Sequence, residues 1–199
     1  MVLPVRDRDE GLIAANALPP GADEILLVEG PGVAGAKNEG ARVAKGDVLL
    51  FTDDDVRIRG DLAWLKDRPG AEAWWRAELV DGTDGLAASN VDQVNAAGRM
   101  GLSIGSNGPF QALRRRVFDY VGGFHADDVF EDIGLSRRLS EAKIRLYSTP
   151  YRVVIRRPFA PFQEVARRRR AEAIEGRSGP FTVTRLRPWQ VLQGRPPEF

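Results

Sequence analysis

The chain has 199 residues, 43% hydrophobic and 29% charged, a composition that fits one globular domain or one domain with an appendage. It contains no Cys and one His, His125, which excludes disulfides, thiolate metal sites and a cysteine nucleophile, argues against a Ser-His-Asp triad and leaves oxygen as the main donor to any metal. The net charge of +1 conceals a split, because residues 151–199 carry eleven Arg against four acids (+7) while residues 1–150 carry eighteen bases against twenty-four acids (−6).

That split suggests an acidic catalytic body and a basic tail able to meet anionic lipid, diphosphate or nucleic acid. No apolar run approaches the roughly 20 residues that span a bilayer, and no signal-peptide pattern opens the sequence. The expectation is a cytoplasmic protein, with association to a membrane surface as the alternative.

Val2-Leu3-Pro4-Val5 reads as a first strand, so short that either it begins here or further residues precede it. A charged loop follows from Arg6, then a short helix near residues 12–18 closed by Pro19-Pro20-Gly21. Glu24-Ile25-Leu26-Leu27-Val28-Glu29 is a second buried strand ending on a carboxylate. After Gly30-Pro31-Gly32-Val33-Ala34-Gly35 comes a helix over about residues 34–45. A third unit then delivers Val48-Leu49-Leu50-Phe51-Thr52 and stops on Asp53-Asp54-Asp55. Strands alternating with helices argue for a mostly parallel α/β sheet, in which ligands bind at the carboxyl ends of the strands. Three adjacent acids on that rim are either a solvated turn or a site for a hard cation such as Mg²⁺ or Mn²⁺. A rival reading takes Gly30, Gly32 and Gly35 as a G-x-G-x-x-G fingerprint for NAD(P), with Asp53 near the spacing of a ribose-binding acid.

A short helix is expected over residues 61–66, then Trp74-Trp75 and a strand near residues 76–80. Residues 81–101, rich in Gly, Ala, Ser, Asn and Asp, read as a mobile connection able to serve as a lid. Strand character returns over residues 102–113, followed by a helical turn or two from Arg114 that Gly122-Gly123-Phe124 stops. Asp127, Asp128, Glu131 and Asp132 lead into a helix with Ile133, Leu135, Leu139 and Ala142 on its apolar face. One acid satisfies the free N–H groups and dipole of a helix start, and four exceed that need. A carboxylate held ionised there is a competent general base. Two strands are read around Ser148-Thr149-Pro150, then a basic helix over about residues 162–175. Its Arg167-Arg168-Arg169-Arg170 run is a solvated face or a contact to anionic lipid. Residues 176–199 show no clear order.

Taken in order, these pieces resemble the inverting glycosyltransferases of family 2. The carrying segments are Pro4-Val5-Arg6-Asp7, the second strand, Ala36-Lys37-Asn38-Glu39-Gly40-Ala41-Arg42 and the D-x-D at Asp53 and Asp55. Further on come Gly105-Ser106-Asn107, Arg114-Arg115, Gly122-Gly123-Phe124 and Phe130-Glu131-Asp132-Ile133-Gly134-Leu135-Ser136-Arg137-Arg138-Leu139. The resemblance implies an α/β nucleotide-diphospho-sugar transferase (GT-A) fold, a Rossmann-like mixed and mostly parallel sheet flanked by helices. It covers residues 1–155, leaving 156–199 as a basic helical extension.

By resemblance, Asp53 and Asp55 hold Mn²⁺ or Mg²⁺ on the donor diphosphate, and Asp54 lies near the ribose. Glu29, where the family has Asp, contacts base or ribose; Pro4 and Arg6 line the nucleotide pocket, and Lys37 lies beside the base. Asp132 is the catalytic base with Glu131 beside it at the acceptor site, and Asn107 with Gly105 and Ser106 floors the sugar pocket. The implied partners are a UDP- or GDP-linked sugar donor and a glycan, lipid-linked or other hydroxyl acceptor, with no nucleic acid. A sugar-nucleotide binder without turnover is a further alternative. The sequence departs from the family where Glu29-Gly30-Pro31-Gly32 replaces D-D-G-S. It also lacks a late His, in whose region Arg156 and Arg157 fall, and His125 follows Gly122-Gly123-Phe124 where Asp is frequent.

Overall fold

The structure, a computed structural model, describes residues 1–5, 18–67, 73–86, 88–100, 108–128, 130–156, 164, 167 and 179–186. Eight strands form one sheet in the order β4-β7-β5-β6-β3-β1-β2-β8. They are β1 (Val2–Val5), β2 (Ile25–Glu29), β3 (Val48–Phe51), β4 (Val56–Arg59), β5 (Ala73–Asp81), β6 (Gln111–Arg114), β7 (Arg145–Ile155) and β8 (Thr182–Leu186). β1 lies parallel to β2 and β3, and β5 parallel to β7, while β6 joins β3 to β5 antiparallel and β4 and β8 close the edges antiparallel. Five of the eight strands therefore run one way, which is the mixed, mostly parallel sheet that the sequence leads one to expect.

β1 and β3 are apolar at every position because both faces are covered. A period of two divides the central strands between two cores. Leu3, Val5, Ile25, Leu27 and Leu50 face one, with Leu62 and Leu65. Val2, Leu26, Val28, Leu49 and Phe51 face the other. Over that second face lie three helices. From α1 (Val33–Val43) come Ala36 and Ala41, from α4 (Arg115–Tyr120) come Val117 and Phe118, and from α5 (Glu131–Glu141) come Leu135 and Leu139. Phe51, Phe118 and Phe124 stack together with centroids 4.9–5.6 Å apart. The turn that brings Phe124 there needs two consecutive left-handed residues, Gly122 (φ 77°) and Gly123 (φ 68°), which glycine supplies without a Cβ penalty. Ile133, read as part of the apolar face of α5, is 38% exposed at the helix start instead.

Several segments differ from the sequence reading; of the strand read over residues 102–113, the described residues 108–109 form a turn and strand begins at Gln111, and β4 lies where no strand was read. Within residues 81–101, read as a connection, Ala88–Arg99 form helix α3; a short helix α2 (Ala63–Lys66) precedes it. Its Gly, Ser and Asn content gives it poor intrinsic propensity, and tertiary contact overrides that. Buried Asn95 donates to the Leu79 carbonyl (2.8 Å) and accepts from the Leu79 amide (2.9 Å). It does so where β5 has run past the end of its partner β6. The two strands read around Pro150 are one strand, β7. There Ser148 pairs with Arg76 and Arg152 with Glu78, so β7 has extra residues between the two pairs and forms a bulge. A bulge is where a sheet tolerates proline, which has no N–H to give. Residues 182–186, read as unordered, pair antiparallel with β2, so the sheet takes in a strand from beyond residue 155. The helices expected near residues 12–18 and 162–175 fall almost wholly outside the described residues, as do Arg168, Arg169 and Arg170; Arg167 is described and exposed.

Candidate functional site

The carboxyl end of β3 and the amino end of α5 meet over Gly108. Thr52, fully buried, fixes the first of these. Its amide donates to the Val2 carbonyl (3.2 Å) and its hydroxyl to the Pro109 carbonyl (2.8 Å). The chain then leaves the sheet at Asp53 beside the Gly108-Pro109 segment. Asp54 and Asp55 make the turn into β4, and the Asp55 carbonyl accepts from the Arg156 amide at 3.1 Å.

The second element is held as firmly. Gln111 on β6 donates from Nε2 to the Asp132 carbonyl (3.2 Å) and to Ser136 Oγ (3.3 Å), and Ser136 donates to the same carbonyl (2.7 Å). The Asp132 side chain turns back over Gly108. Its Oδ2 accepts from the Gly108 amide at 2.8 Å and its Oδ1 from the Ile133 amide at 2.9 Å. A Cβ placed on Gly108 would stand 3.1 Å from Asp132 Oδ2 and 3.5 Å from Asp53 Oδ2. Both carboxylates thus look onto one small floor that only glycine leaves open.

Beneath this floor lies Lys37 of α1, with none of its side chain exposed. Its Nζ donates to Glu131 Oε1 at 3.1 Å, stands 3.8 Å from Asp53 Oδ1, and lies 5.2 Å from the centroid of the Phe124 ring. The neighbouring Asn38 braces the same helix. Its side chain donates to the Phe124 carbonyl (2.7 Å) and accepts from the Phe124 amide (3.0 Å).

Burial dominates the electrostatics, since it disfavours whichever form is charged. It pushes the Asp53 carboxyl up to about 7 against the pull of Lys37, with Asp55, Glu131 and Asp132 adding to the rise. Asp53 still shows 32% of its side chain to solvent, so it is a recessed carboxyl open on one side. Burial also raises Asp132, and Glu131 raises it further, opposed by Lys37 and by the Ile133 and Gly108 amides. For Lys37 burial works downward, yet Glu131, Asp53 and Asp132 outweigh it and the ammonium ends above its ordinary range.

Of the residues singled out in the sequence, Asp53, Lys37, Glu131 and Asp132 come together, with Asp55 close enough to act on Asp53. Lys37, expected beside a base, is fully buried, and Glu131, expected at an acceptor, is 93% buried and bound to Lys37. Pro4 and Glu29 sit half-buried at the carboxyl ends of β1 and β2, and Asp54 is half-buried in its turn. None of these three joins the cluster around Lys37. Arg6 and Asn107, with Gly105 and Ser106, fall outside the described residues. Sequence reasoning missed Thr52, Gly108, Gln111 and Ser136. Only the polar Gln111 inside an apolar strand marks itself in the sequence.

Gly30 and Gly35 have a packing role. The Phe181 ring, arriving just before β8, lies against both, and a Cβ on Gly35 would meet its Cζ at 2.7 Å. The ring thus covers part of the face by which a dinucleotide fingerprint would approach its ligand.

Among the described residues no three His, Asp or Glu side chains converge as a metal cage. A hard cation such as Mg²⁺ needs none, because it is commonly held by one or two carboxylates and completed by substrate phosphates. Asp53, kept half-protonated near neutrality by its recess, and Asp55 beside it have the donor chemistry for such an ion. Among the described residues no helix is long and apolar enough to cross a membrane.

No family model matches the chain, and no curated protein matches it. Solved structures do. A mannosyltransferase from Pyrobaculum calidifontis, in complex with GDP-mannose and Mn²⁺, superposes with a TM-score of 0.50 at 22% identity. The match takes in 78% of this chain and 48% of that one, so the chain spans about half the mannosyltransferase's length. A mycobacterial protein matches over 98% of this chain and 87% of its own, with a TM-score of 0.52 and 14% identity. These likenesses show the fold.

Proposed function

We propose that the chain is a metal-dependent glycosyltransferase that moves a sugar from a nucleoside-diphosphate donor to an acceptor hydroxyl with inversion. The observation that carries this reading is the convergence of Asp53 and Asp132 over Gly108, with one carboxylate oxygen of each on the same floor. A displacement at an anomeric carbon needs positive charge at the departing diphosphate and a base at the incoming hydroxyl. The two acid clusters divide that labour. The mannosyltransferase of like fold was solved with GDP-mannose and Mn²⁺, which supports a nucleotide-sugar donor and a divalent cation.

Asp53 and Asp55 would hold Mn²⁺ or Mg²⁺, and the ion supplies charge stabilisation to the diphosphate as the sugar leaves. Asp132 takes the proton of the acceptor hydroxyl. Its two amide hydrogen bonds fix the carboxylate, while burial and Glu131 make it more basic than an ordinary Asp. The acceptor oxygen forms the new bond to the anomeric carbon as the bond to the diphosphate oxygen breaks, and attack opposite the leaving group inverts that carbon. One base and no side-chain nucleophile suffice.

The test is transfer or slow hydrolysis from a panel of UDP- and GDP-sugars with Mn²⁺ or Mg²⁺. Activity abolished by chelator and restored by the metal is expected. Binding of NAD or NADP that is indifferent to chelator, with no sugar-nucleotide bound, would overturn the reading.

A further inference from the structure

Resting on that reading of the site, we propose that Lys37 is a positioning residue. Clamped by Glu131 at 3.1 Å, its buried ammonium holds one oxygen of Asp53 inward so that the other faces the floor shared with Asp132. The two oxygens of Asp53 have separate surroundings. Oδ1 is the one 3.8 Å from Lys37, and Oδ2 is the one 3.5 Å from the open position over Gly108. No hydrogen bond from any described residue orients the Asp53 carboxyl otherwise. Without Lys37 it could turn about its side-chain bonds within a recess that is one third open.

Glu131 is then the anchor of the ammonium and has little surface left to offer an acceptor. The pair also ties α1 to the first turn of α5, alongside the two bonds from Asn38 to Phe124. Lys37 thus fixes the cation-side carboxylate and the base-bearing helix relative to each other. Charge is consistent with this. Among the described residues, the three carboxylates Asp53, Glu131 and Asp132 act on one ammonium, so the acids outnumber the base and leave room for a cation.

A bystander ion pair and a positioning pair are told apart by exchanging both partners for neutral residues of similar shape. Lys37→Met alone takes the ammonium away from the buried Glu131 carboxylate and should lower Tm sharply. Lys37→Met/Glu131→Gln removes one charge of each sign, should recover most of that Tm, and leaves the net charge of the site unchanged. Mn²⁺ binding is then titrated calorimetrically in the presence of GDP or UDP, whichever the wild-type protein binds. Positioning predicts that the folded pair binds Mn²⁺ about 10- to 100-fold more weakly than wild type, the usual cost of losing a group that orients a metal ligand. Wild-type affinity in the pair would overturn the positioning role and leave the glycosyltransferase reading standing. Failure of the wild-type protein to bind Mn²⁺ with any nucleotide would overturn both. Should the pair not fold, Glu131→Gln decides. It keeps an oxygen acceptor near Lys37 but leaves Asp53 as the only anion within 4 Å of the ammonium among the described residues. The ammonium is then drawn onto Asp53, and Mn²⁺ affinity falls about tenfold; unchanged affinity in that variant would overturn the proposal.

Discussion

The two acid clusters are made of the same side chains and are supported in opposite ways. Asp132 stands in the first turn of α5, where backbone amides of Gly108 and Ile133 point at both its oxygens and Gln111 and Ser136 pin its carbonyl. Asp53 stands past the end of β3, where strand hydrogen bonds have run out, and its ion-pair partner among the described residues is Lys37 at 3.8 Å. The helix start therefore yields a carboxylate with fixed aim, and the strand end yields one left short of partners. The first suits a base that must meet a hydroxyl at a set angle. The second suits a ligand whose missing partner is a cation.

Substitution of Asp132 breaks the comparison at its better-supported side and should have the largest effect. Asp132→Asn keeps the shape and one oxygen acceptor for an amide but cannot take a proton. We expect turnover to fall by about 10²–10⁴, the range for loss of a positioned base, with Mn²⁺ and nucleotide affinity within a few-fold of wild type. Single-turnover kinetics beside a binding titration checks both halves. Equal losses in binding and turnover would show that Asp132 serves the ligand and not the proton.

Asp53→Asn breaks the other side, and its signature is opposite. Metal-dependent nucleotide affinity should drop roughly 100-fold, at the upper end of what altering a metal site costs. Yet the metal-free protein should become more stable at pH 7–8, because a carboxyl whose ionisation the recess opposes is gone. Melting curves read both effects: the variant should gain stability without metal and lose most of the stabilisation that Mn²⁺ gives the wild type, and a metal-free variant less stable than wild type would contradict the assigned environment.

The pH dependence sharpens the same point. Asp53 lies at about 7 in the folded protein against an ordinary 3.8. Between those values the folded state holds a proton that the unfolded chain has released. Metal-free stability contributed by this group is therefore full at acid pH and is lost as pH rises toward 7. Asp132, raised for the same reason, acts in the same direction. Metal affinity runs the other way, since a cation competes with that proton. Mn²⁺ binding should strengthen up to about tenfold per pH unit below 7 and level off above it. A flat profile from pH 5.5 to 8 would mean that Asp53 is not the group displaced.

Much of this was legible in the residues themselves. The apolar runs at Ile25–Glu29 and Val48–Phe51 could only be strands covered on both faces, and acids at their carboxyl ends had to fall on the binding rim. What stayed hidden depends on contacts remote in sequence. Lys37 reads, by resemblance, as a contact to the base, and only the structure shows it buried against Glu131 of α5. Gly108 reads as part of a strand over residues 102–113, and only the structure shows it in a turn on which the side chains of Asp53 and Asp132 close. The glycines at 30 and 35 looked like a phosphate cradle because the sequence nearby does not reveal that Phe181 will lie on them. Helix α3 was illegible for a local reason, since its propensity is poor and it is held by tertiary contacts, Val91 in the core and Asn95 bound to β5.

That last element sets the smallest expected functional effect and tests whether the β5 edge is scaffold. Asn95 is buried, and its amide completes both backbone groups of Leu79 where β6 no longer reaches. Asn95→Ala leaves a buried N–H and a buried C=O without partners, so stability should fall by about 1–3 kcal/mol. Asn95→Asp is the sharper variant, because a carboxylate can still accept from the Leu79 amide but meets the carbonyl with like charge. It should be destabilised at neutral pH and partly rescued at acid pH as the carboxyl protonates and donates to that carbonyl. Chemical denaturation at pH 5 and pH 8 distinguishes the two variants, and below their melting temperatures both should retain turnover within about threefold of wild type. A larger loss in the folded variants would move α3 from scaffold to the part of the molecule that meets the acceptor, since the helix is separated from Gly108 by only a short stretch of chain.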